Sequence, residues 1–560
     1  MRILDKLTSP GVLLSLIVIN AFILRIIFLD KTPPSLNWDE VSHGYNAYSI
    51  LKTGRDEWGK SFPLIFRAYG DYKLPVYIYA VAVSEFFIGP SELAVRLPSA
   101  LAGTFSVFFV YLFTYELYKN KKVALFSGVL VAIEPWGLFL SRIAVEANLA
   151  LMFIISGAYF YIRGVRLRSS SILIGISLLG ISAWTYNSAR IFSPLFLFGL
   201  AFIYQRETKE FIKRRVANLV LSILLICGLF LTMFWQLTAS SGLARYANVQ
   251  IINDGAISRI VESRNTSELP GVLPRVVYNK GTFFVNEYVR NYISHFSPTF
   301  LYLKGGSHYQ FNIPNFGLLY LVNAPFLLIG ILHLIKNRNV SSKVLLLWII
   351  IAPIAASFTR ESPHALRSIL IIPIPMILSA QGIIVSWESL KNNQNRMIFM
   401  LLYLVLLSIS AYSFLIRYLD YKDKYSWAWQ YGNKEMVDYV RENYNNYDKI
   451  IISKKYGEPH EFLLFYWPWR PDVYQNDQKL IRFYQSNWYW VDQFDKFYFV
   501  NDWDIPNDSS MLTLESGKEV DCTIGKCLLV SSPEKNLHGW DKVYSINFLD
   551  GSRAFDIYEN

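Results

Sequence analysis

Two carboxylates stand side by side in Asn37-Trp38-Asp39-Glu40, directly after the first long apolar segment of the chain. Lys73 follows in Tyr69-Gly70-Asp71-Tyr72-Lys73-Leu74-Pro75, set against another apolar stretch. Ser141-Arg142-Ile143-Ala144-Val145-Glu146 supplies a further cation and acid. Arg190 ends Tyr186-Asn187-Ser188-Ala189-Arg190, and Arg367 ends Arg360-Glu361-Ser362-Pro363-His364-Ala365-Leu366-Arg367. Ionised groups beside a hydrocarbon phase are costly unless they are paired or used. A positioned carboxylate takes a proton from a hydroxyl, and cations neutralise charge on a departing anion. The four-residue spacing of Arg142 and Glu146 predicts that both lie on one side of a helix. The Arg360–Arg367 stretch opens an apolar segment, where a helix N-terminus favours an anion.

These residues must be held by membrane elements. The 560 residues are 53% hydrophobic and 17% charged, against about 25% charged in soluble domains. A span needs about 20 apolar residues. Expected spans are Gly11–Leu29, Glu92–Leu117, Val123–Leu140, Ala147–Ile162, Ser171–Thr185, Ile191–Tyr204, Val216–Trp235, Phe316–Ile335, Val344–Phe358, Ser368–Val385 and Met397–Ile416. The net charge of +11 fits lysine and arginine retained in cytoplasmic loops, and nucleic acid is not expected as a partner. With Arg2 and Lys6 inside, eleven crossings put the basic clusters 119–122, 163–168, 206–215, 336–343 and 391–396 on the cytoplasmic side. A crossing by Leu74–Gly89 would turn every later cluster outward, so that segment is expected to lie at the interface. The first external loop then runs from 30 to 91 and a long one from 236 to 315.

Two domains are expected: residues 1–416 in the membrane and an extracytoplasmic α/β domain over 417–560. In the latter, Lys434–Asn443 has the spacing of an amphipathic helix, while Lys449–Ser453 and Lys496–Val500 read as strands. Cys522 and Cys527 fit a small disulfide loop turning at Gly525. Cys227, in an apolar span, is expected to be inert packing. The aromatic run Trp427-Ala428-Trp429-Gln430-Tyr431-Gly432 reads as interface residues after a span. His43 and His364 read as loop histidines, since no nearby spacing completes a metal site.

A reaction that meets these conditions is transfer of a sugar from a polyprenyl phosphate to a hydroxyl. It needs a base for the acceptor, cations for the phosphate and an apolar environment for the carrier. At these residues the chain resembles GT-C glycosyltransferases of the protein O-mannosyltransferase and aminoarabinose transferase type. The resemblance covers residues 1 to about 416 and rests on Asp39-Glu40 after the first span, Lys73-Leu74-Pro75, Arg96-Leu97-Pro98-Ser99-Ala100 and Ser141-Arg142. Glu146 stands where the family more often has Asp, and His364-Ala365-Leu366-Arg367 departs from its Pro-Arg-Tyr-like element. It implies a polytopic α-helical enzyme of the cell membrane, with its N-terminus cytoplasmic and its C-terminal domain outside, an inverting transferase acting on a lipid-linked donor and a hydroxyl of protein, lipid or glycan. It further implies Asp39 as base, Glu40 and Glu146 as supporting acids, and Lys73, Arg142, Arg190 and Arg367 around the donor phosphate. No cofactor is implied with certainty; a divalent cation stays open, with Asp39, Glu40 and Glu146 as its carboxylates. The competing readings are a transporter or flippase of lipid-linked sugars, for which ionisable groups at mid-membrane and internal repeats would be expected, and a sensor whose aromatic tail binds glycan.

Overall fold

The structure is a computed structural model and describes residues 9–214, 216–238, 249–485, 488–533, 535 and 537–560. Arg2, Lys6, Arg215 and positions 239–248 of the long loop lie outside the described residues. The chain divides into two compact units: Met1–Arg25, Ser99–Ser141 and Glu146–Leu415 make one, and Ile26–Pro98, Arg142–Val145 and Ile416–Asn560 the other. The expected boundary near 416 therefore marks only part of the division, because the first loop belongs with the tail.

The first unit is helical. Among the described residues, six helices are long and apolar enough to cross a membrane: Glu92–Tyr118, Glu146–Leu167, Val216–Thr238, Val340–Ser357, Ile369–Ser389 and Asn393–Lys424. Pro10–Ile26, Ser171–Ala183, Ala189–Ile203 and Leu321–Asn337 are shorter apolar helices, as is Pro75–Ile88 of the second unit. The segment expected at Val123–Leu140 is broken into Lys121–Ile133 and Pro135–Leu140, since Pro135 has no N–H to continue the helix. Its buried Glu134 accepts from Tyr320 N at 3.0 Å and Asn323 Nδ2 at 2.5 Å, which satisfies a carboxylate in apolar surroundings. The segment expected from Phe316 becomes helical only near Leu321. A Cβ at Gly317 would lie 2.4 Å from the Tyr302 backbone, so the chain passes too close there for a side chain. Cys227 is exposed rather than packed, in a stretch whose apolar side chains largely face outward.

In the second unit, Lys449–Ser453 (β1), Ile481–Gln485 (β2), Trp488–Phe494 (β3), Phe497–Val500 (β4), Cys527–Ser531 (β5), Asp541–Asn547 (β6) and Arg553–Glu559 (β7) form one sheet ordered β6-β7-β5-β1-β4-β3-β2. Central β1 runs parallel to β4 and β5. Its Ile450, Ile451 and Ile452 are fully buried, as expected of a strand covered on both faces. The amphipathic helix forms over Asn433–Asn443, and Cys522 and Cys527 are joined around Gly525, whose φ is +84°. The Trp38–Thr53 helix packs on the Pro459–Tyr466 helix so closely that a Cβ at Gly44 would lie 2.3 Å from the Phe465 ring. Pro75–Ile88 is a 14-residue helix, about 21 Å long at about 1.5 Å per residue. It buries Tyr77, Ile78 and Val81 and exposes Val83, Phe86 and Phe87.

The tightest helix pairing in the first unit joins Ala324–Asn337 to Ile374–Ser389. A Cβ at Gly330 would lie 2.0 Å from the Leu378 carbonyl oxygen, and one at Gly382 2.0 Å from that of Phe326. Gly382→Ala is expected to cost about 1–3 kcal/mol by overpacking, read as a lower midpoint of thermal unfolding in detergent; an unchanged midpoint would show that this seam does not set stability.

Candidate active site

The Trp38–Thr53 helix begins with a capping box: Asn37 Oδ1 accepts from Glu40 N at 3.0 Å, and Asn37 N donates to Glu40 Oε2 at 3.1 Å. The Glu40 carboxylate is also gripped by Arg96, whose Nε and Nη2 donate to its two oxygens at 3.0 Å each. Ala144 N donates to Glu40 Oε1 at 2.7 Å. The side chains of this ion pair are 0% and 2% exposed. Arg96 further donates to the carbonyls of Leu29 at 3.1 Å, Pro33 at 2.8 Å and Ser35, and the Trp429 ring centroid lies 5.7 Å from its guanidinium. Both Glu40 oxygens are thus committed to the scaffold. Arg96 appears in the sequence as part of a motif, but its role as the partner of Glu40 is visible only in three dimensions.

Asp39, one residue earlier, faces the other way and is 55% exposed. Lys73, at 8% exposure, places Nζ 2.8 Å from Asp39 Oδ1 and donates to the Asp39 carbonyl at 3.0 Å. Its position is set by a short antiparallel ribbon in which Phe66 faces Lys73 and Arg67 faces Tyr72. The helix N-terminus also favours negative charge at Asp39. An exposed carboxylate on a buried ammonium is oriented for a hydroxyl arriving from solvent. Gln430 of the aromatic run accepts from Trp38 N at 2.8 Å, so that run helps to hold the residue before Asp39.

Arg142 is buried, with Nε donating to Tyr418 Oη at 2.9 Å and Nη2 to the carbonyls of Ile27, Phe28 and Thr32 at 2.7, 3.2 and 3.1 Å. These bonds tie the loop after the first helix to the end of Asn393–Lys424. The expected shared helix face of Arg142 and Glu146 is not formed. The helix starts at Glu146, and residues 141–145 turn before it, with Val145 N donating to the Ile143 carbonyl. Glu146 instead occupies the first helical position, where a carboxylate suits the dipole.

In the helical unit, Arg190 and Arg367 line one cavity of about 360 Å³ together with Tyr186, Asn187, Ile191 and Phe358. Most of its wall is apolar. Arg190 is buried at the start of Ala189–Ile203, and its Nε lies 3.4 Å from the Ala183 carbonyl. Arg367 donates to Thr359 Oγ1 at 3.0 Å and to Glu361 Oε2 at 2.9 Å. An apolar chamber carrying two guanidiniums suits an anionic head on a hydrocarbon chain.

Composition hides a group of buried acids in the sheet-bearing unit. Burial pushes the Glu57 carboxyl up, and burial together with the neighbouring Glu57 pushes Glu461 up further, although the Lys73 charge opposes this. Burial pushes Glu458 up to about 8 against the hydrogen bond from Trp488. His460 is held well below its ordinary value by burial and by the Arg482 and Lys454 charges; its Nδ1 is 3.4 Å from Glu458 Oε2 without hydrogen-bond alignment. These side chains look like ordinary surface charge in the sequence, and nothing in their spacing signals burial. Among the described residues, no group of three His, Cys, Asp or Glu side chains is arranged for a metal ion.

Residues 15–241 match the model of the family described as dolichyl-phosphate-mannose-protein mannosyltransferase. The fold is that of GT-C glycosyltransferases. ArnT from Cupriavidus metallidurans bound to undecaprenyl phosphate superposes with a TM-score of 0.54 at 13% identity, over 97% of each chain. The archaeal oligosaccharyltransferase AglB from Archaeoglobus fulgidus, in complex with an inhibitory peptide and a dolichol-phosphate, gives a TM-score of 0.52 at 13% identity, over 82% of this chain. The chain spans 63% of the length of that archaeal protein. No curated protein matches the chain in sequence.

Removing one partner of a buried ion pair costs about 3–5 kcal/mol, so Arg96→Met is expected to lower the unfolding midpoint sharply while Asp39→Asn leaves it nearly unchanged. Equal midpoints for the two variants would contradict the division of roles between Asp39 and Glu40. A second expectation concerns pH. A carboxyl with a raised folded-state pKa binds its proton more tightly when folded, so its contribution is complete below about pH 4 and lost as pH rises. Stability is expected to fall through about pH 8, where Glu458 titrates, and Glu458→Gln with Glu461→Gln should flatten that decline in melting curves taken from pH 5 to 9.

Proposed function

We propose that this chain, whose residues 15–241 match the mannosyltransferase family model, is a GT-C membrane glycosyltransferase that moves a sugar from a polyprenyl-phosphate donor to a hydroxyl acceptor. The observation that carries this reading is Asp39: an exposed carboxylate oriented by buried Lys73, inside the matched segment. Asp39 takes the acceptor proton as the acceptor oxygen bonds to the anomeric carbon. The bond from that carbon to the phosphate oxygen breaks, and its electron pair leaves on the polyprenyl phosphate. A single displacement of this kind inverts the anomeric centre.

Within the helical unit, Arg190 and Arg367 suit a phosphate, and the apolar wall of their cavity suits isoprenoid units, each methylene worth about 0.8 kcal/mol on burial. The polyprenyl phosphate in the ArnT structure supports this class of donor by analogy. Glu40 and Arg142 are positioning residues, because their polar atoms hold backbone and side chains of the scaffold. Glu146 is the second acid. The committed oxygens of Glu40 do not fit a metal set that includes it. The basic clusters favour a cytoplasmic N-terminus and an extracytoplasmic tail in the cell membrane. A transporter is the less favoured reading, since Asp39 stands in the sheet-bearing unit at a helix start rather than within a spanning helix.

With labelled polyprenyl-phosphate sugar and purified protein, Asp39→Asn is expected to lower kcat by about 10²–10⁴-fold with donor binding retained. Arg190→Ala and Arg367→Ala are expected to raise the donor KM instead. Full turnover by Asp39→Asn, or sugar flux across proteoliposomes without product, would overturn the assignment.

A further inference from the structure

We propose that the acceptor is a carbohydrate, stacked on an aromatic wall of Trp38, Tyr69 and Trp488 beside Asp39. This rests on the glycosyl-transfer reading and names the class of its acceptor. The three rings come from separate segments of the sheet-bearing unit. Tyr69 and Trp488 stack at 5.5 Å and 14°, and Trp38 leans on them at 5.9 and 6.0 Å with tilts of 41° and 46°. Tyr69 is buried, whereas Trp38 and Trp488 are each half-buried, so the two indoles carry the surface of the corner.

The Tyr69 and Trp488 rings are pinned by polar bonds of their own, and Trp38 is held through its backbone. Trp38 N donates to Gln430 Oε1 at 2.8 Å, Tyr69 Oη to the Trp38 carbonyl at 2.8 Å, and Trp488 Nε1 to Glu458 Oε1 at 2.5 Å. Tyr489 N donates to the Tyr69 carbonyl at 2.8 Å, which fastens β3 to the turn of the ribbon that delivers Lys73. Gly457 seats Trp38 from behind: its φ is +112°, and a Cβ there would lie 2.2 Å from the indole. These bonds hold the corner in one arrangement, as a preorganised binding face requires.

The chemistry of the wall selects the ligand. A pyranose has one face of C–H bonds that lies flat on an aromatic ring, while its hydroxyls project around the rim. The Lys73 ammonium that holds Asp39 Oδ1 at 2.8 Å also lies near the Tyr69 ring of the wall, so a sugar on the wall has its rim close to the carboxylate that must take a hydroxyl proton. The Lys73 ammonium, 5.8 Å from the Tyr69 ring centroid, stands at the same rim. A serine or threonine side chain carries one hydroxyl on a short stem and has no flat face to set against Trp488.

The test uses the full chain in detergent with Asp39→Asn, so that binding is read without turnover. Mannotriose, cellotetraose and a serine/threonine peptide are each examined by saturation-transfer NMR and tryptophan fluorescence. An oligosaccharide is expected to bind, Trp488→Ala to weaken it at least tenfold, and Trp488→Phe to restore most of the affinity with a near-native melting midpoint. In the active chain, Trp488→Ala should raise the acceptor KM and leave the donor KM unchanged. Binding of the peptide alone, no oligosaccharide binding, or affinity indifferent to Trp488→Ala would overturn the proposal. Absence of polyprenyl-phosphate release from a labelled donor in the unaltered protein would instead sink the glycosyl-transfer reading, a result distinguishable because the binding assay needs no turnover.

Discussion

The sheet-bearing unit depends on one buried ion pair. Glu40 and Arg96 face each other with both carboxylate oxygens engaged, and Arg96 collects three further backbone carbonyls. A pair removed from water must recover a large desolvation cost, which requires that remaining donors and acceptors be satisfied. Here they are satisfied by backbone from the stretch after the first helix and by Ala144 N. The pair therefore fixes three stretches of chain that are remote in sequence and have little regular structure of their own.

This arrangement explains why two neighbouring acids have different duties. Successive residues at a helix start point about 100° apart, so burial of Glu40 directs Asp39 toward solvent. Lys73 then holds Asp39 from its buried side. The Asp39 carboxylate is oriented by charge and by backbone without being enclosed. In the same unit, burial raises Glu458, and burial with the neighbouring Glu57 raises Glu461, so this density of carboxyl groups is shifted toward the neutral acid.

The helical unit meets a different requirement. Its cavity joins an apolar wall to the guanidiniums of Arg190 and Arg367, and the same chamber thereby offers hydrocarbon burial and anion recognition. Arginine suits this position because its charge persists at any physiological pH and its fork matches phosphate oxygens. Arg142 shows the same side chain in another role, with its donors spent on the Ile27, Phe28 and Thr32 carbonyls that follow the first helix. Residue type alone does not separate the two uses.

Much was determined by local pattern. Apolar length, basic clusters and the change to polar composition after 416 point to a polytopic protein with a folded tail, because these properties follow from neighbouring residues. The tail helix, β1, β4 and the Cys522–Cys527 loop are legible for the same reason. Asp39 and Lys73 were also visible as chemistry-bearing residues, and Arg190 and Arg367 as cations at span ends. What tertiary structure alone decided was who faces whom: Glu40 with Arg96, Arg190 with Arg367 around one cavity, Trp38 with Trp488, and the first loop with the C-terminal sheet. Those pairings join positions up to hundreds of residues apart, and a charge does not record in the sequence whether water or another charge will face it. The helix expected to unite Arg142 and Glu146 fails on the same ground, because the Ala144 backbone is drawn to Glu40 and the helix begins after it.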